Sequence, residues 1–349
     1  MNSLNEQRSK TGFVVGKFLP PHRGHRHLIE TARSAVDHLT VMLCEHPGDP
    51  IPGYLRHQWL QEMHPDSTIL LIDEDIDAND SYGWAVYVRE KLGYVPDFVF
   101  TSEDYGERFS GFLGSRHVLV DKARLSFPVS GTAVRADPFA QWRYLDACVR
   151  MYYLKRVCVV GAESSGTTTL TQALAEHYRT SWVPEYGREY SELVLNGALT
   201  RDWTSEEFTH IAHIQCERED AAARQANCIL FCDTAAFATS IWHERYMGHM
   251  SPHVDAVAAS RSYDLIILTD VDIPFVQDGI RDGEHIRAAM HERFREYLSA
   301  QSIPWITVSG THEQRMNAAV KAIGNPGNPL PKSLPSSRGR ALLPQGEGL

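Results

Sequence analysis

His22 and His25 flank Gly24 in the run Gly16-Lys17-Phe18-Leu19-Pro20-Pro21-His22-Arg23-Gly24-His25. Two imidazoles three residues apart point to one side if a helix starts near Pro21. Gly24 removes the Cβ that would keep a phosphate away from the backbone. The apolar run from Thr11 to Gly16, with Phe13, Val14 and Val15, predicts a strand before the motif. Leu28, Ile29 and Ala32 give residues 26–35 after it a helical spacing. A strand-to-helix turn presents free N–H groups and the positive end of the helix dipole, where an anionic phosphate is well accommodated. Lys17 and the two imidazoles would hold the α-phosphate of a nucleoside triphosphate there and neutralise charge in an in-line displacement. Seventeen histidines in 349 residues place some pairs close together by chance, so the pair needs context. Ser130-Gly131-Thr132-Ala133-Val134-Arg135 supplies it, with two hydroxyls and an arginine just before an expected helix start at Asp137-Pro138, suited to β and γ phosphates.

A second phosphate motif begins at Gly161. Val157 to Val160 reads as a compact strand, Gly161-Ala-Glu-Ser-Ser-Gly166 as a glycine-bounded loop, and Thr167 to His177 as an amphipathic helix. That is the order a P-loop requires. The phosphate-binding set is then Gly161, Ser164, Ser165, Gly166, Thr167, Thr168 and Thr169, with the Thr168 hydroxyl where Mg²⁺ is held. The usual lysine is missing, because Thr167 stands in its place. Loss of one preorganised donor at a transferring phosphate costs on the order of a hundredfold in rate. The acidic partner of such a loop ends a buried strand. Cys228 to Cys232 is that strand, and Asp233 is the expected Mg²⁺ ligand.

Gly16-Lys17-Phe18, His22-x-Gly24-His25 and Ser130-x-Thr132-x-x-Arg135 together resemble the nucleotidylyltransferase superfamily in its nicotinamide mononucleotide adenylyltransferase branch. Followed by the loop at Gly161, the order resembles the bifunctional NadR family over roughly residues 12–320. The resemblance implies an α/β chain with an N-terminal Rossmann-like adenylyltransferase domain and a C-terminal P-loop ribosylnicotinamide kinase domain. It implies Gly16, Phe18, Gly24, Ser130 and Thr132 as ATP contacts, and Lys17, His22, His25, Arg135 and Asp233 as catalytic groups. ATP would be the co-substrate and Mg²⁺ the cofactor. The small-molecule partners would be nicotinamide mononucleotide, nicotinamide riboside and NAD.

The kinase half departs from the pattern in one further place. A second aspartate is expected in Asp-Thr-Asp, but the chain reads Asp233-Thr234-Ala235. Glu185-Tyr186-Gly187-Arg188-Glu189 resembles the family's riboside segment, and Trp242 follows at a spacing that would lay an indole over a pyridinium ring or, equally, pack in the core. Arg188 would bind phosphate or carboxylate, or pair with Glu185 or Glu189. The segment from Gln277 to Arg287 matches the lid, and Arg281 is expected to replace the missing lysine, with Arg287 beside it. Two other readings stay open: a P-loop domain that senses nucleotide without transferring phosphate, and adenylyl transfer to another phosphorylated small molecule.

The expected domains are a tail over 1–11, the adenylyltransferase over 12–150, the kinase-like domain over 151–323 and a Gly/Pro/Ser-rich disordered tail over 324–349. In the first domain the apolar runs at 39–44, 68–72, 98–101 and 117–120 alternate with helical stretches at 54–63 and 83–91, the pattern of a doubly wound parallel sheet. Thr101, Ser102 and Glu103 end one strand, where ligands bind in such sheets, and Trp84 would stack on a ring or fill the core. An aromatic-rich helix is expected over 137–153. A formal charge of −10 with no Lys/Arg run argues against nucleic-acid binding. A strand that starts at Thr11 leaves no room for the N-terminal helix-turn-helix of some relatives. Six cysteines without C-x-x-C spacing read as free thiols of a cytoplasmic protein, and no apolar run is long enough to span a membrane. Oligomeric state stays open.

Overall fold

A computed structural model describes residues 8–324 except 74, 75, 78, 196–200, 279, 280 and 282. Gly279, Ile280 and Asp282 of the expected lid, and the expected tail after Gly324, therefore lie outside the described residues. The chain divides into two compact units, Met1–Tyr152 and Tyr153–Leu349.

The first unit runs β1 (Thr11–Gly16), α1 (Arg23–Ala35), β2 (His38–Glu45), α2 (Gly53–Met63), β3 (Thr68–Asp73), α3 (Ser81–Leu92), β4 (Phe98–Thr101), α4 (Tyr105–Leu113), β5 (Arg116–Leu119), α5 (Gly131–Ala136) and α6 (Ala147–Tyr153). All strand pairs are parallel, in the order β3-β2-β1-β4-β5. Successive residues of β1 serve opposite faces, as strand geometry demands. Val14 packs with Leu28, Ile29 and Ala32 of α1, while Phe13 packs with Val88 of α3 and Phe109 and Leu113 of α4. Helices on both faces explain why β2 is buried from Leu39 to Cys44 without polar alternation.

Two expectations fail here. Ser130-Gly131-Thr132 does not precede a helix at Asp137: Ser130 is the N-cap of α5, accepting from the Ala133 N–H at 3.1 Å, and Asp137 ends that helix. A residue before proline is pushed out of the helical region, and Asp137 is extended at φ −150°, ψ 90°. The single helix expected over 137–153 is accordingly broken into a 3₁₀ turn at Trp142–Tyr144 and α6, separated by the extended Leu145.

The second unit runs β6 (Lys155–Val160), α7 (Thr167–Tyr178), β7 (Trp182–Val183), α8 (Tyr186–Leu195), α9 (Ser205–Ala223), β8 (Ile229–Asp233), α10 (Ala236–Met247), α11 (Pro252–Ala259), β9 (Leu265–Thr269), α12 (Arg287–Ser299), β10 (Trp305–Val308) and α13 (His312–Ile323). Its sheet is also parallel, ordered β10-β9-β6-β8-β7, with β6, β8 and β9 fully buried. Val157 and Val159 pack on α7 and α13. The other face carries a buried polar network in which Glu219 accepts from the Tyr263 hydroxyl at 2.8 Å and pairs with Arg156 at 3.4 Å. All six cysteines are free. Among the described residues no helix is long and apolar enough to cross a membrane.

Candidate functional site

In the first unit a cleft of about 880 Å³ opens over the carboxyl ends of β1 and β4. Gly16, Lys17, Phe18, His22, Gly24, His25, Ser130, Thr132 and Arg135 all line it, joined by Trp84, Thr101, Ser102 and Glu103. His22 is not inside α1, as a start at Pro21 would require. It is the extended N-cap (φ −149°, ψ 171°), and its ring Nδ1 accepts from the His25 N–H at 3.4 Å. The two imidazoles stack, centroids 3.8 Å apart, and the Phe18 ring meets His25 in a T-shaped contact with centroids 5.0 Å apart. A Cβ on Gly24 would come to 3.1 Å from the His22 ring, so the glycine leaves room for this pair.

Burial pushes the His22 pKa down to about 4, with Arg124 adding to the effect, and burial, His22 and Arg124 together hold His25 well below the ordinary imidazole value. The rings are therefore neutral near pH 7. With no phosphate beside them they offer hydrogen bonds, and the buried Nδ1 of His25 has no protein partner among the described residues. Fixed charge comes from Lys17, Arg135 and Arg124, all lining the cleft. Arg135 donates to the Leu19 carbonyl and, at 3.3 Å, to the Thr132 hydroxyl, which ties α5 to the turn after β1.

Sequence reasoning missed Arg124 and Arg56. Arg56 is fully buried and donates to the carbonyls of Lys17 at 2.5 Å and Cys44 at 3.1 Å while pairing with Asp49 at 2.8 Å. It clamps the turn that carries Lys17. The available signal was helical spacing: Arg56 stands three and four residues before Trp59 and Leu60, on the same helix face, and a buried guanidinium must be paired.

In the second unit a cavity of about 230 Å³ is lined by Gly161, Ser164, Gly166, Thr167, Thr168, Thr169, Glu185, Arg188, Trp242 and Arg281. Ser164 (φ 59°) and Gly166 (φ 87°) adopt left-handed backbone, a conformation from which anion-binding concavities are built. Ser165 does not line the cavity: it is buried, its hydroxyl donates to the Ala162 carbonyl at 2.5 Å and lies 2.7 Å from the Thr269 hydroxyl, and its N–H also bonds Ala162. It braces the loop, as do two arginines. Arg287 donates to the carbonyls of Glu163, Ser164 and Ile273 at 3.1–3.3 Å, and Arg315 reaches the Ser165 carbonyl at 2.5 Å. Arg287 is thus a brace of the loop, where the sequence placed it in a lid.

The Thr168 hydroxyl donates to Asp233 Oδ2 at 2.5 Å, and Asp233 Oδ1 is buried without a partner among the described residues. Burial raises the Asp233 pKa, opposed by the Thr168 and Thr167 hydroxyls and by Arg188. A hydroxyl beside a desolvated carboxylate with an unused oxygen suits Mg²⁺, whose oxygen ligands come partly from substrate phosphates and water. Ala235 is fully buried as the extended N-cap of α10 and is not part of the cavity wall. Glu185 is, and burial, with Asp233 adding to it, pushes its carboxyl up to about 8.

The riboside segment is split by its partners. Arg188 pairs with Glu192 at 3.0 Å and Asp278 at 2.7 Å, and Glu189 pairs instead with Arg218 at 2.6 Å, so the pairing of Arg188 with Glu185 or Glu189 is not what forms. Tyr186 turns away from the cavity, with the Arg218 guanidinium 4.5 Å over its ring and His210 at 3.3 Å from its hydroxyl. Trp242 both lines the cavity and packs against the core of α9, α10 and α11. Trp203, Phe208 and Tyr246 complete the aromatic wall and were missed, because they lie outside any phosphate motif and are brought in by α9, the turn before it and α10.

Two parallel sheets, each with an anion-binding turn at the carboxyl end of its strands, define a double nucleotide-binding α/β protein. Residues 156–315 match the family described as AAA domain. The chain is 31% identical over 331 residues to the trifunctional NAD biosynthesis/regulator protein NadR of Escherichia coli (strain K12), covering 86% of this chain and 79% of that protein. It is 29% identical over 328 residues to the Salmonella typhimurium (strain LT2) protein of the same name, with the same coverage. Crystal structures of NadR protein in complex with NR and in complex with NAD and AMP-PNP superpose with a TM-score of 0.73 each, at 20% and 21% identity, over 90% of this chain and 95% of theirs. The chain belongs to the NadR family.

Proposed function

We propose that this chain makes NAD by two transfers, the first carried by residues 12–150 and the second by 151–323. In the first, a 5′-phosphate oxygen of nicotinamide mononucleotide attacks the α-phosphorus of ATP, a new P–O–P bond forms, the α–β bond breaks, and pyrophosphate leaves with NAD as product. No covalent enzyme intermediate is needed, so catalysis is positioning plus charge stabilisation. Neutral His22 and His25 donate hydrogen bonds to the α-phosphate, while Lys17, Arg124 and Arg135 carry the positive charge. The observation that supports this reading most is that the Gly16–His25 turn and the Ser130–Arg135 helix start line one cleft.

In the second transfer the 5′-hydroxyl of nicotinamide riboside attacks the γ-phosphorus of ATP, forming nicotinamide mononucleotide and ADP. Ala235 cannot take the hydroxyl proton. Glu185 can, because its carboxyl lines the same cavity and its raised pKa suits a base working near neutrality. Thr168 and Asp233 would hold Mg²⁺, which neutralises charge on the β and γ phosphates. The Trp242 wall receives the pyridinium ring by cation–π contact. The free thiols support a reducing, cytoplasmic setting.

The deciding test is product formation by the purified chain with Mg-ATP, offered nicotinamide riboside alone and nicotinamide mononucleotide alone. NAD from both supports two working sites. NAD from the mononucleotide only makes the second unit a nucleotide sensor, and product from neither removes this reading.

A further inference from the structure

Resting on the kinase reading above, the structure points to Arg188 and Arg281, acting as a pair, as the positive charge that replaces the missing lysine of the phosphate loop. Thr167 leaves the loop without a cation of its own. Two other arginines reach the loop, but Arg287 and Arg315 are buried and committed to its backbone carbonyls. Among the described residues lining the cavity, Arg188 and Arg281 are the cations that remain.

They converge on a single acceptor. Asp278 Oδ2 takes Arg188 Nη2 at 2.7 Å and Arg281 Nη2 at 3.1 Å. Two guanidiniums this close repel unless an anionic oxygen sits between them. Planar guanidinium forks suit phosphate oxygens as well as carboxylates, and the more highly charged triphosphate competes well for such a pair. The Asp278 oxygen therefore marks a place where a phosphate oxygen can be gripped from both sides. The segment that carries it is fastened to the loop itself: the Val276 N–H donates to the Ser164 hydroxyl at 2.9 Å, and Arg281 donates to the Val276 carbonyl. Arg188, for which the sequence left phosphate, carboxylate or a local ion pair open, is thus assigned to the phosphate.

The test is a rescue experiment on the full chain. Riboside phosphorylation with Mg-ATP is compared for the natural protein, Arg188→Gln, Arg188→Lys, Arg281→Gln, Thr167→Lys and the two combinations of Thr167→Lys with an Arg→Gln change. NAD formation from nicotinamide mononucleotide by the first unit reports that each variant is folded. Each Arg→Gln change should lower kcat/KM at least about tenfold in the natural background and less than about threefold in the Thr167→Lys background, since one preorganised donor is then replaced by another. Arg188→Lys should keep more activity than Arg188→Gln. Arg→Gln variants within about threefold of the natural rate, or a penalty unchanged by Thr167→Lys, overturn the inference. A natural chain that does not phosphorylate riboside while Thr167→Lys does also overturns it and leaves the kinase reading of the site intact. If neither phosphorylates riboside, the kinase reading itself fails.

Discussion

His22 offers the sharpest check on the first site, because its ionisation is set by burial and a neighbouring charge. His22 is 5% exposed, and burial followed by the nearby Arg124 charge lowers its pKa from 6.5 to about 4. The neutral ring is the form the fold favours. An unfolded chain takes up the proton near pH 6.5 and the folded chain only near 4, so this group costs stability progressively as pH falls below 6.5, and the full loss is reached below about 4. That interval corresponds to about 3 kcal/mol as an order of magnitude. The perturbation is His22→Asn, which keeps an N-cap acceptor for α1 but cannot titrate. Histidine-resolved NMR across this pH range should show His22 titrating near 4. Hydrogen exchange of the α1 amides should show the Asn variant losing about 3 kcal/mol less than the natural protein on acidification. Mg-ATP should move the His22 titration upward, because a phosphate beside the ring favours its charged form. A His22 that titrates near 6.5, or an α1 helix equally acid-sensitive in the Asn variant, would refute the argument that these imidazoles enter the reaction neutral.

Gly131→Ala places a Cβ 2.6 Å from the Leu19 carbonyl oxygen, which is backbone and cannot step aside cheaply, so NAD formation from the mononucleotide should fall at least about tenfold while riboside phosphorylation persists. An unchanged rate of NAD formation would remove the Ser130–Arg135 turn from the site. For the second unit, kcat/KM for riboside phosphorylation should rise with pH through about 8, as Glu185 loses its proton, and Glu185→Gln should flatten that limb with a loss of about a hundredfold. A profile flat across that region would assign the base elsewhere. Asp233→Asn should abolish Mg²⁺-dependent phosphorylation yet leave the unfolding temperature of metal-free protein equal or higher, because it removes a buried carboxylate whose Oδ1 is unsatisfied. A marked drop in that temperature would make Asp233 a structural anchor.

Much of the scaffold could be read before the structure. β1 and β4 have the boundaries expected from their apolar runs, since a strand covered on both faces leaves a short unbroken apolar stretch between polar ends. The strand-turn-helix order at Gly16 and at Gly161 was equally plain, and both turns stand at the carboxyl ends of their strands. The break at 137–153 was misread because helical apolar spacing there outweighed a single Asp-Pro step. Ser165 and Tyr186 were misplaced for a different reason. A motif names which residues are near a phosphate, but the partners that turn one side chain inward and its neighbour outward, Thr269 for Ser165 and Arg218 for Tyr186, lie far along the chain.

By itself the sequence determined the two parallel sheets, the two phosphate turns, the absent lysine and the absent second aspartate, because each rests on residue type and local spacing. Only the tertiary structure decided which groups are charged and what they hold. Arg124 acts on His22 from a distant part of the first unit's sequence, Arg188 meets Asp278 across 90 residues, and Arg56 clamps Lys17 across 39. Desolvation and Coulomb interaction depend on distance in space, which spacing along the chain does not encode.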